Sequence, residues 1–105
     1  MIVRVLEDPL CVRMFAPVLE NVEAGDELVG RLNDMNANVR FARLFVLEGT
    51  VYAAVEVPAS PLVAAHVTRA CEGLGQVADE TGVELEQEFG GRMPFDRAPG
   101  EAAVQ

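Results

Sequence analysis

The chain has 105 residues, half of them hydrophobic and 24% charged, which supports a single modest core and places it among folding rather than disordered sequences. Its 8 basic residues, all arginine, stand against 17 acidic ones for a net charge of -9, so no duplex nucleic-acid partner is expected, because neutralising phosphates needs a basic face. No apolar run approaches the ~20 residues of a membrane span, and the first residues carry neither the basic flank nor the small-residue cleavage site of a signal peptide, so the expected compartment is the cytoplasm.

The first element is a hairpin. Residues 2–6, Ile-Val-Arg-Val-Leu, are short and rich in β-branched side chains; Glu7-Asp8-Pro9 supplies a turn, and an extended pattern resumes over 11–16. Pro17 cannot donate to a ladder, so it is expected to end this second strand or to place it at an edge. Gly25-Asp26 then opens a helix over 27–36 with Asp26 as its N-cap, and Leu28, Val29, Leu32 and Met35 recur on one side. Asn36 and Asn38 are expected to stop it, since Asn tolerates the left-handed conformation.

Over 39–47 strict alternation predicts a strand with Val39, Phe41, Arg43, Phe45 and Leu47 on one face and Arg40, Ala42, Leu44 and Val46 on the other. Glu48-Gly49 makes a tight turn into a partner strand over 50–57. Ser60-Pro61 has the chemistry of a helix start, a hydroxyl to cap an orphan amide and a proline in the first turn. A long helix is expected from there to Phe89, with Val63, Val67, Ala70, Leu74, Val77, Thr81, Leu85 and Phe89 as an apolar stripe able to cover a sheet. Its far side is acidic, with Glu72, Asp79, Glu80, Glu84, Glu86 and Glu88 against Arg69. Gly73, Gly75 and Gly82 each cost such a helix about 1 kcal/mol relative to Ala, so packing must hold it or a kink forms near Gly75. Gly90-Gly91 ends the helix. The predicted fold class is therefore α+β, order β-β-α-β-β-α, with one domain over 1–95 and a flexible tail over 96–105.

The segment Leu32-Asn33-Asp34-Met35-Asn36, followed by Val39-Arg40-Phe41-Ala42-Arg43-Leu44-Phe45, the turn into Val51-Tyr52 and the helix end Phe89-Gly90-Gly91, resembles the YbjN family, which is related in fold to the type III secretion chaperones. The resemblance covers residues 10–93. It implies a twisted antiparallel sheet flanked by helices, usually dimeric, that acts as an acidic holder of extended or amphipathic peptide segments, and it carries over no catalytic residue. Members usually place a helix and a strand before the first hairpin, so the expectation here is a shortened start or a neighbouring chain that completes the sheet.

Candidate binding residues cluster around the 39–57 hairpin. Arg43, between Phe41 and Phe45, either pins a ligand carboxylate or pairs with an acid of the long helix such as Glu72. Phe41, Phe45 and Tyr52 form either a peptide platform or core packing. Asn33 and Asn36, three apart, either bond a peptide backbone or, for Asn36, end the helix. His66 has no second His at metal spacing, Ser60 has no base beside it, and no phosphate-cradling glycine loop is present, so no catalytic residue, metal or cofactor is expected. Cys11 and Cys71 lack Cys-x-x-Cys spacing and are expected as reduced, packed thiols.

Two functions fit. The first is a non-enzymatic, chaperone-like adaptor of the cytoplasm, a homodimer that uses a sheet edge or face to hold a basic or amphipathic segment of another protein. The second is a ferredoxin-like regulatory domain that senses a small molecule, which needs an enclosed pocket instead of a surface.

Overall fold

The computed structural model describes residues 1–38 and 41–94; the expected strand start at Val39 and Arg40 and the tail expected over 96–105 lie outside them. The first hairpin pairs β1 (Ile2–Leu6) with β2 (Cys11–Leu19), Leu6 opposite Cys11 and Ile2 opposite Phe15. After α1 (Asp26–Asn38), a second hairpin pairs β3 (Arg43–Leu47) with β4 (Thr50–Pro58). Its turn holds Glu48 at φ 50° and Gly49 at φ 80°, the doubly positive geometry that follows the twist of two-residue hairpins. The chain then enters α2 (Ala64–Phe89).

The two hairpins join side by side through β2 and β4, giving one antiparallel sheet of order β1-β2-β4-β3. Alternation along each strand sends Met14, Ala16 and Val18 of β2, Leu44 of β3 and Val51 and Ala53 of β4 to one face, where they are buried against Leu74, Ala78 and Leu85 of α2. Leu28, Leu32 and Met35 of α1 close the same core at the β3 side. The expected α+β order is observed, with the long helix lying on the sheet.

Several boundaries differ from the sequence reading; one is β3, which begins at Arg43, so that Phe41 and Ala42 of the strand expected over 39–47 precede it. Pro17 does not end β2, which runs to Leu19 through a register irregularity between Pro17 and Leu19. The proline is tolerated because β1 pairs no further than Phe15, leaving that stretch of β2 with a strand on one side only. Asp26 is the first helical residue instead of the cap; the Gly25 carbonyl accepts the Val29 amide at 3.0 Å, and the Asp26 carboxylate sits at the positive end of the helix. α1 continues past Asn36 to Asn38 because the Asn36 side chain is engaged with β3. Ser60 and Pro61 form a turn, and α2 begins after Val63, which is extended and offers no side-chain cap.

α2 runs unbroken through its three interior glycines. A Cβ at Gly82 would lie 3.0 Å from the Val18 carbonyl oxygen, and one at Gly73 would lie 2.9 Å from the Phe41 ring. Both glycines therefore exchange helix propensity for close approach, whereas Gly75 faces open space. Beyond the helix, Glu20 and Arg92 exchange backbone hydrogen bonds of 2.7 and 2.8 Å, and their side chains pair at 3.2 Å. Gly91 makes this return possible, with φ 80° and a position where a Cβ would meet the Glu20 carbonyl oxygen at 2.5 Å.

Gly91→Ala should therefore lower stability by about 1–3 kcal/mol, the scale of a non-glycine residue forced into positive φ, read as a reduced urea midpoint with an unchanged slope. Gly75→Ala, which meets nothing within 4 Å, should raise the midpoint by the ~1 kcal/mol propensity difference.

Candidate functional site

Because α2 covers one face of the sheet, the side chains of opposite parity form a second face on which, among the described residues, no helix packs. These are Ile2 and Arg4 of β1, Arg13 and Phe15 of β2, Tyr52, Ala54 and Glu56 of β4, and Arg43, Phe45 and Leu47 of β3. They line an open depression of about 870 Å3. Ala54 makes the hollow, being the small residue between its cross-strand partners Phe15 and Arg43.

Aromatic side chains form one wall. Tyr52 stacks on Phe45 with ring centroids 5.5 Å apart and meets Phe15 edge-on at 5.9 Å, the two geometries that the ring quadrupole favours. Arg4 places its guanidinium 5.8 Å from the Phe15 ring centre. Arg13 binds the Glu56 carboxylate across the β2–β4 pair, with Nε 2.7 Å from Oε2. Arg43 donates from Nη1 to the Ala42 carbonyl at 3.2 Å. The acids of α2 lie on the helical side of the molecule, where Glu84 and Glu88 pair with Arg31 of α1 at 3.5 and 3.0 Å.

Of the six residues singled out in the sequence, the structure brings Arg43, Phe45 and Tyr52 together on this face. Phe41 stands on its rim, 40% exposed, while its ring also rests against α2 at Gly73. Asn36 is half-buried and clamps β3: its Nδ2 donates to the Leu44 carbonyl at 3.0 Å and its Oδ1 accepts the Leu44 amide at 2.8 Å. That side chain mimics a neighbouring strand and closes the β3 edge. Asn33 is exposed on α1, apart from the depression. Sequence reasoning missed Arg4, Arg13 and Phe15; their signal is the same-parity spacing of Arg4 with Ile2, and of Phe15 with Arg13, visible once the face of each strand is known.

The other rim of the sheet is open. β1 is its terminal strand, and on the side facing the helical layer Val3 and Val5 remain 56% and 69% exposed, since α2 packs on β2 and β4. Cys11 and Cys71 are free thiols, the Cys71 Sγ lying 3.2 Å from the Met14 Sδ. His66 is exposed on the first turns of α2. Among the described residues, no helix is long and apolar enough to cross a membrane, and no three His, Cys, Asp or Glu side chains converge as a metal site would need.

A family model described as TY-Chap1, T3SS (YopN, CesT) and YbjN peptide-binding chaperone 1, fits residues 1–97. No curated protein matches the chain.

If Asn36 substitutes for a strand, Asn36→Ala should cost about 1–3 kcal/mol, the price of leaving a half-buried backbone amide unsatisfied. Hydrogen exchange should quicken at the Leu44 amide, while the amides of the β2–β4 pair keep their protection.

Proposed function

The chain belongs to the T3SS (YopN, CesT) and YbjN peptide-binding chaperone family, and we propose that it holds its peptide on the open face of the sheet. Membership makes the chain a non-enzymatic chaperone or adaptor whose partner is a protein or peptide segment. The observation that carries the placement is the group Phe15, Tyr52 and Phe45, aromatic rings stacked on a face that no element of the described chain covers. Such rings offer contact area at low entropy cost, which is why they dominate binding hot spots.

In this reading Phe45, Tyr52 and Arg43 touch the segment and Phe41 borders it. Asn36 acts indirectly by holding β3 in place, whereas Asn33, exposed on α1, lies apart from the depression. Amphipathic character in the partner suits the depression, whereas basic character suits the outer acids of α2. The remaining assignments are a homodimer, one folding unit over 1–95 followed by a tail, and residence in the cytoplasm, where two free thiols fit a reducing compartment. Homodimerisation draws its support from β1, a terminal strand whose Val3 and Val5 stay exposed, apolar surface that association would hide.

Fluorescence anisotropy with a labelled 12-residue peptide alternating Leu and Ser tests the placement. Phe45→Ala and Tyr52→Ala should each weaken binding about tenfold or more, as hot-spot truncations do, while Val29→Ala on the exposed side of α1 should leave it unchanged. Equal binding by all variants would remove the open face as the site. Sedimentation velocity tests assembly: the expected species has twice the mass of the 11.3 kDa chain, and Val5→Glu should shift it to the monomer.

A further inference from the structure

We infer that the segment held on the open face is acidic as well as apolar, an extended stretch that lowers one hydrophobic side chain onto Ala54 and sets carboxylates on either side of it. This deepens the reading above and rests on it. Overall charge points the other way, since the chain carries a net -9. The depression nevertheless gathers Arg4, Arg13 and Arg43, and Glu56 is the one acid among the described residues that line it, a surplus of arginine over acid.

Register sharpens that surplus into a specific demand. Arg4 lies directly opposite Arg13 across the β1–β2 pair, and Arg13 lies opposite Glu56 across β2–β4. Neighbouring strands run about 5 Å apart, and like charges directly opposite each other weaken a strand pair. The Glu56 carboxylate satisfies Arg13; among the described residues no ion pair forms at Arg4, whose guanidinium lies over Phe15. A carboxylate arriving between Arg4 and Arg13 relieves that repulsion and gains charge-assisted hydrogen bonds.

Shape sets where the apolar group goes. Ile2, Phe15, Ala54 and Arg43 form one row across all four strands, with Tyr52 and Phe45 paired in the next. A side chain entering over Ala54 meets the rings of Phe15 and Tyr52. It then has Arg43 one strand away on β3, and Arg4 and Arg13 on the β1 side. Carboxylates flanking that side chain reach arginines in both directions, and the acids on the outer face of α2 repel the same segment from the helical side, which orients the approach.

Three labelled 12-residue peptides that share alternating Leu positions and carry Glu, Ser or Lys between them separate this inference from its premise. At low salt the Glu peptide should bind at least about tenfold more tightly than the Ser peptide, and the Lys peptide more weakly than either, with the Glu advantage shrinking as salt screens it. Arg4→Gln and Arg13→Gln together should remove most of the Glu peptide's advantage over the Ser peptide. Ala54→Leu should weaken all three by filling the hollow, whereas Val29→Ala, on the exposed side of α1, should leave all three unchanged, and a thermal melt on each variant confirms folding. Equal affinity for Glu and Lys peptides, both lost in Ala54→Leu, would overturn the acidic specificity and keep the site. Binding unaffected by Ala54→Leu would overturn both. Tighter binding of a labelled 12-nucleotide single strand than of the Glu peptide would overturn the inference in favour of nucleic acid. Conversion of a sedimenting dimer to monomer by Ala54→Leu or the arginine pair would overturn it in favour of a second copy docking its acidic helix there.

Discussion

One-sided packing of α2 on the central strands governs this molecule. Its stripe carries small residues where the approach is closest, Ala70, Ala78 and Gly82 among Leu74 and Leu85, and these meet Met14, Ala16, Val18, Val51 and Ala53. A helix with three interior glycines forgoes about 3 kcal/mol of propensity relative to alanine. Apolar burial along 26 residues exceeds that sum, so the helix exists because the sheet is beneath it. The converse also holds, because among the described residues α2 is the main cover of the inner face of β2 and β4.

A single helical layer cannot cover both faces of a sheet, and that geometric limit leaves the second face open among the described residues. The uncovered face keeps apolar rings in contact with one another and surrounds them with guanidinium groups, an arrangement compatible with water yet ready for a partner. The two edges are treated differently. β3 is closed by α1 through the Asn36 amide, whereas among the described residues no strand pairs with the outer edge of β1, whose Val3 and Val5 stay exposed. The aromatic depression and the exposed β1 rim thus lie on different parts of the same sheet.

Much of the fold was legible in local pattern. Strand β1 and the start of β4 fall where alternation puts them, the Glu48-Gly49 turn has the expected positive φ pair, and the stripe of α2 is buried nearly as its spacing demands. Local rules failed where tertiary context outweighed propensity. Asn36 leaves α1 unbroken because its amide finds Leu44 instead of its own backbone, whereas Pro17 stands where β2 has no β1 neighbour, the edge position its sequence reading allowed. Arg43, Phe45 and Tyr52 were accessible to sequence reading because they share one hairpin, whereas Phe15 and Arg13 belong to the other hairpin and nothing in their spacing says that they face Tyr52 and Glu56.

The sequence by itself determined the element types, their order and the two apolar periods, because each depends on neighbours within a few residues. It also carried a net charge that says nothing of where the charges lie. Only the tertiary structure decided that β2 and β4 pair, which sets one hairpin's arginines and aromatic ring beside the other's and turns an acidic chain into one with a locally basic, aromatic face. The reason is physical: strand pairing between distant segments is settled by how the whole inner face packs beneath α2, and no local periodicity encodes which strands will meet.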